Sequence, residues 1–187
     1  MNEIVFGGGC FWCTEKFFQD QPGVDSVTSG YAGGAEKDAR YDMVAGGKTG
    51  HVEVIKVTYD EQKTSPYDLL LVFFASHDPT TFNQQGADTG TQYASWIFYI
   101  DEEQKQIVDQ FLEALKTKSV FEKPVITQTA KLDKFYTAEE YHQNYFDRNQ
   151  EAPYCQIVIQ PKLEKLEDKI QALREKLRIS SEKPGTL

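Results

Sequence analysis

The chain of 187 residues is 40% hydrophobic, 13% aromatic and 26% charged, a balance that fits one globular domain with a sizeable core and excludes disordered, collagen-like and fibrous readings. Twenty Lys plus Arg against 29 Asp plus Glu give a net charge of −9, a field that repels phosphate backbones and anionic membranes and counts against nucleic-acid binding. The longest apolar run, Leu69 to Ala75, is far short of the roughly 20 residues that cross a bilayer, and nothing in Met1 to Phe6 reads as a signal peptide, so the expected compartment is the cytoplasm.

In chain order, residues 3–6 predict a strand, ended by Gly7-Gly8-Gly9, whose free backbone allows a tight turn into a helix from about Cys10 to Asp20. Gln21-Pro22-Gly23 stops that helix. Residues 24–31 predict a second strand, Gly33 to Gly50 a long polar loop, and His51 to Tyr59 a third strand rich in β-branched residues. Ser65-Pro66 signals the start of an apolar helix to about Ser76, and Tyr93 to Ile100 read as another strand. The order β-α-β-β-α-β is that of a ferredoxin-like two-layer sandwich, so the expected fold is α+β, with a mixed or antiparallel sheet and helices on one face.

Further elements extend it. Asp101 is placed to cap a helix to about Lys116, and Pro124 to Ala130 read as a strand. Thr137 to Glu140 match a capping box opening a helix to Phe146. From Pro161 the character changes: Leu163, Leu166, Ile170, Leu173 and Leu177 recur at spacings of three and four among Lys and Glu. We therefore divide the chain into a main domain over 1–160 and an amphipathic C-terminal helix over 161–187, packed on its own domain and frayed from about 180.

Three cysteines, Cys10, Cys13 and Cys155, are too few and odd in number for a disulfide scaffold. Cys10 falls at the first turn of the predicted helix, where unpaired N–H groups and the helix dipole favour a thiolate. The glycines before it leave the approach bare, and Phe11 and Trp12 set aromatic surface beside the sulfur. Cys10-x-x-Cys13 fits a redox dithiol or half a zinc site. Zinc is disfavoured because only Cys155 and three histidines remain as ligands, and no metal or organic cofactor is expected. On its strand Glu53 shares a face with Ile55, Val57 and Tyr59, and a carboxyl on an apolar face tends to stay protonated.

Gly9-Cys10-Phe11-Trp12 with Glu15, Ser29 to Gly34, Tyr41, Thr49 to Val54, His77 to Thr80, Gln84 to Tyr93 and Tyr154-Cys155 together resemble the peptide methionine sulfoxide reductase A family, over residues 4 to about 161. The resemblance implies a ferredoxin-like α/β sandwich that reduces methionine-S-sulfoxide, free and in proteins. It makes Cys10 the nucleophile on the sulfoxide sulfur, Glu53 the acid, and Tyr41 and Tyr93 donors to the oxygen. Asp88 would order the water and tyrosine network, and Phe11 and Trp12 would wall a pocket for the substrate methyl. Cys10 would pass through a sulfenic acid. Cys155, on a segment that reads as mobile, is favoured to resolve it, because helical spacing holds the Cβ atoms of Cys10 and Cys13 roughly 5–6 Å apart, beyond disulfide reach unless the first turn distorts. Cys13 nonetheless leaves the recycling route open. Thioredoxin is the implied reductant. A dithiol oxidoreductase of another class and a non-enzymatic interaction module are the alternatives, and a monomer is expected.

Overall fold

A computed structural model describes residues 2–178. Its framework is a six-stranded sheet of β1 (Asn2–Gly8), β2 (Val24–Ala32), β3 (Val52–Tyr59), β6 (Ser95–Tyr99), β7 (Gln128–Lys131) and β8 (Phe135–Thr137), in the order β7-β6-β1-β3-β2-β8. All neighbours run antiparallel except β6 and β7, which makes the sheet mixed. The two-residue strands β4 (Gln84–Gln85) and β5 (Asp88–Thr89) form a separate hairpin.

Alternation along the strands decides which face is covered. Ile4 and Phe6 of β1, with Ile55, Val57 and Tyr59 of β3, enter the main core. Over them lie α1 (Phe11–Gln19), α3 (Pro66–Ser76), α4 (Glu102–Thr117) and α7 (Leu166–Arg178), with Phe17, Phe18, Phe73, Phe111 and Leu173 among the buried side chains. Val5, Val52, Val54 and Phe98 point the other way, into a smaller cluster closed by Trp96, Leu132 and Phe135. The expected α+β layering with a mixed sheet is therefore what the residues build.

Local signals explain most boundaries. The Ser65 hydroxyl accepts from the Asp68 N–H at 3.2 Å, with Pro66 in the first turn of α3, and Asp101 accepts from the Gln104 N–H at 2.8 Å at the start of α4. Each such cap contributes about 1 kcal/mol. Leu166, Ile170, Leu173 and Leu177 are all buried, and α7 packs on α3, so the apolar stripe of the tail faces its own domain. The expected fraying from about residue 180 lies outside the described residues.

Four expectations need correction. The loop over 33–50 holds a short 3-10 turn at Glu36–Asp38 and α2 (Tyr41–Val44). Only the end of the 124–130 segment is a strand, in parallel register with β6. Thr137 does not cap a helix: it ends β8, paired with Gly30, and a 3-10 turn (Glu140–His142) and α5 (Tyr145–Arg148) follow. Cross-strand pairing outweighed a local capping pattern. Finally, the segment that reads as mobile is helical: Cys155 is fully buried in a wide helical turn, Cys155–Ile159, leading into α6 (Gln160–Glu164).

Candidate active site

Gly9, at φ +95°, turns the chain from β1 into α1. Cys10 is therefore the cap residue and not part of the helix; its backbone lies at φ −57°, ψ 124°. Its carbonyl accepts the first helical bonds, from the N–H groups of Cys13 (3.1 Å) and Thr14 (3.3 Å). Its side chain makes no capping bond, and Cys13 is the third residue of the helix it opens. The spacing argument against a Cys10–Cys13 bridge, which holds inside a helix, does not apply at this cap.

The two thiols influence each other, and their acidities part company. The Cys10 thiol is pushed well up, first by the neighbouring Cys13 thiol, then by burial and by the nearby charge of Glu53. The Cys13 thiol is pulled down, first by the neighbouring Cys10 thiol and then by the charge of Lys162 and the hydroxyl of Tyr154, against the opposing effect of burial. The lowering on Cys13 comes from these side chains, whereas the backbone N–H of Trp12 in the first turn of α1 acts on Cys10 and lowers it against the larger opposing effects, so the balance runs contrary to the expected Cys10 thiolate.

Glu53 sits on the helical face of β3, 2% exposed, and its Oε2 accepts the Phe11 N–H at 3.1 Å. Burial is the main reason its carboxyl is pushed up to about 8, with the charges of Asp88 and Cys13 adding to it and the Phe11 bond working the other way. At neutral pH this residue holds a proton. Tyr41, opening α2, and Tyr93, at the end of a 3-10 turn (Thr91–Tyr93), are half-buried, and both phenols are raised by burial and by the neighbouring Glu53 and Cys10. They are O–H donors at any physiological pH.

Asp88 on β5 accepts the Tyr154 hydroxyl at 2.9 Å, and the same hydroxyl lies 3.7 Å from the Cys13 sulfur. Gln85 fixes this hairpin: its Oε1 accepts from the Asp78 N–H at 3.0 Å and its Nε2 donates to the Asp78 carbonyl at 2.7 Å. Phe11 is buried beneath the site. Trp12 stacks on Tyr145 at 3.6 Å between centroids, and its Nε1 donates to His142 Nδ1 at 3.0 Å.

The structure therefore gathers Cys10, Cys13, Glu53, Tyr41, Tyr93 and Asp88 in one electrostatic neighbourhood, with Phe11 and Trp12 beside them. Cys155 adjoins it: its thiol is raised by burial and then by the charge of Cys13. His51 and His77 bond to backbone carbonyls of Ala35 and Phe73. Sequence reasoning assigned no role to Tyr154, Gln85, Glu139 or His142. Tyr154 stands directly before Cys155, which was a usable signal. Glu139 gave none, although it accepts both the Tyr31 hydroxyl and the Tyr41 N–H at 2.9 Å and so holds α2 in place.

A protonated carboxyl and two phenols facing paired thiols at a helix start are the equipment of a thiol-dependent oxidoreductase. Comparison with known proteins gives the family. The family model described as peptide methionine sulfoxide reductase matches residues 2–174. The chain is 49% identical over 166 residues to peptide methionine sulfoxide reductase MsrA of Trichodesmium erythraeum, covering 89% of this chain and 94% of the relative. It is 48% identical over 165 residues to that of Deinococcus radiodurans, covering 88% and 80%. Among solved structures, reduced Mxr1 from Saccharomyces cerevisiae superposes with a TM-score of 0.75 at 33% identity, covering 82% of this chain and 88% of that one. Methionine sulfoxide reductase A of Corynebacterium diphtheriae gives 0.68 at 34%, covering 79% and 74%. Mxr1 in complex with Trx2 shares the fold, with a TM-score of 0.53 at 23% identity, covering 77% and 84%. This chain belongs to the peptide methionine sulfoxide reductase family.

Proposed function

We propose that the protein reduces methionine-S-sulfoxide, free and in proteins, to methionine, using Cys10 as nucleophile. The observation that carries this reading is the pairing of a protonated, buried Glu53 with the Cys10–Cys13 thiols, because a sulfoxide oxygen leaves only when it is protonated. The Cys10 sulfur attacks the sulfoxide sulfur while Glu53, Tyr41 and Tyr93 donate to the oxygen. The S–O bond breaks, the oxygen passes to Cys10 as a sulfenic acid, and methionine leaves as the thioether. Phe11 and Trp12 receive the methyl group, an apolar cap beside a polar S=O.

The sulfenic acid then condenses with a second thiol, releasing water and forming a disulfide. Cys13 is the first resolver in this reading, since the pKa of its thiol is lowered and it is the strongest influence on the Cys10 thiol. Attack of Cys155 on Cys13 would release the Cys10 thiol and carry the disulfide to Cys155, and Asp88 with Tyr154 would order the exchange. A thioredoxin dithiol returns the disulfide to thiols and is itself oxidised; that Mxr1 has been captured with Trx2 supports this choice of reductant. No metal or organic cofactor takes part, and the protein acts as a monomer in the cytoplasm. In this reading residues 1–160 are the catalytic domain and 161–187 an appended helix. The order β6-β1-β3-β2, with α1 and α3 as the two crossovers, supports a ferredoxin-like description of the central sheet.

Anaerobic turnover of the separate S and R epimers of a blocked methionine sulfoxide with dithiothreitol tests the reading. Reduction of the S epimer alone, lost in Cys10→Ser, is expected. Reduction of neither epimer sinks it.

A further inference from the structure

A cleft of about 390 Å³ shares Asp88 and Tyr154 with the candidate active site and runs from them along the C-terminal helices. Its far wall carries Lys162 on α6, Lys165 at the junction and Lys169 on α7. Among the described residues none of the three makes an ion pair. In a chain with nine more carboxylates than cations, three unpaired ammonium groups on one cleft are a local reversal of the field. Asp88, at the end shared with the site, is the one carboxylate among its described lining residues. Ile157, 74% exposed, adds an apolar rim.

From these facts the geometry points to a substrate subsite: the cleft receives an extended segment of an oxidised protein that carries acidic residues a few positions from its methionine sulfoxide. This rests on the reductase reading and names the substrate class it prefers. The three lysines span about 10 Å along the helices, the length of about three extended residues. Carboxylates two to four residues from the sulfoxide would face them while the sulfoxide lies by Cys10. Negative charge on the rest of the surface repels such a segment from other approaches, so the cleft sets the direction of entry as well as the preference. Free methionine sulfoxide does not extend that far and is indifferent to the lysines.

The experiment compares blocked methionine-S-sulfoxide with peptides in which the sulfoxide is flanked, on one side or the other, by three Asp or by three Lys. Wild type is set against Lys165→Glu/Lys169→Glu and against Lys165→Gln/Lys169→Gln. We expect one acidic peptide to exceed its lysine counterpart in kcat/KM by about tenfold at low salt, through a few exposed charge pairs acting together. The difference should shrink by 0.3 M NaCl as screening shortens, fall in the Gln variant and reverse in the Glu variant, with turnover of the blocked amino acid unchanged. Equal rates for all peptides, with the blocked substrate turned over normally, overturn the subsite and leave the reductase reading standing. No turnover of the blocked substrate removes both.

Discussion

Glu53 Oε2 accepts the backbone N–H of Phe11 at 3.1 Å, which ties the buried carboxyl to the residue that follows Cys10. The bond orients the acid without ionising it. Desolvation outweighs the single hydrogen bond and the carboxyl stays protonated up to about pH 8. Acid catalysis that needs this proton should lose rate as pH rises through 8, approaching tenfold per unit above it. Glu53→Gln keeps the acceptor for Phe11 but has no proton to give, and should lower kcat/KM by about 10²–10⁴-fold. The pH–rate profile of the S epimer is the check. A descending limb near 8 that persists unchanged in the Gln variant would assign it to another group.

The same carboxyl should be visible in stability. Its folded pKa, about 8, lies above the ordinary 4.5, so between these values the folded state binds more protons than the unfolded one, and stability falls as pH rises through that window. Relative to pH 4.5, the loss from this group reaches about 5 kcal/mol by pH 9 as an upper bound. Glu53→Gln removes the titration, so urea unfolding at pH 9 should find the variant more stable than wild type by a few kcal/mol, with little difference at pH 4.5. Equal stabilities at both pH values would mean that Glu53 is hydrated in the folded protein.

How much of this was legible in the sequence depends on range. The caps at Ser65 and Asp101 and the strand alternation around Glu53 are written within a few residues, and each is found where it was expected. Tyr136 and Thr137 misled because their strand exists only by pairing with Tyr31 and Gly30, more than a hundred residues away. The relation of Cys10 to Cys13 turned on one dihedral, set by the positive φ of Gly9, which residue spacing does not encode. Likewise Tyr154 meets Asp88 and Cys13 only after the C-terminal segment returns to the site.

The order in which the thiols act can be read from a single turnover without reductant. Because Cys13 is the strongest influence on the Cys10 thiol while Cys155 is fully buried and is not among the groups acting on Cys10, Cys155→Ser should still form a Cys10–Cys13 disulfide, identified by peptide mapping. In Cys13→Ser the sulfenic acid should persist and be trapped by dimedone, with one methionine released per enzyme. Rapid formation of a Cys10–Cys155 bridge in Cys13→Ser would instead put Cys155 first.

Gly9 links turn geometry directly to the site. Its φ of +95° disfavours a side chain, and a Cβ there would lie 2.6 Å from Gln85 Cγ and 2.7 Å from Gln85 Cβ. Gln85 is the residue that fixes the hairpin of Asp88 to Asp78. Gly9→Ala should therefore cost about 1–3 kcal/mol and also lower kcat/KM, by displacing both Cys10 and the Asp88 hairpin. Gly86 is the control within that hairpin: its φ is +61°, but nothing lies within 4 Å of an added Cβ. Gly86→Ala should cost about 1 kcal/mol for the backbone alone and leave kcat/KM close to wild type. Urea midpoints and turnover of the S epimer, measured on both variants, separate the two effects. If Gly9→Ala is no worse than Gly86→Ala in either, close packing of Gln85 on the Cys10 turn is not what sets the site.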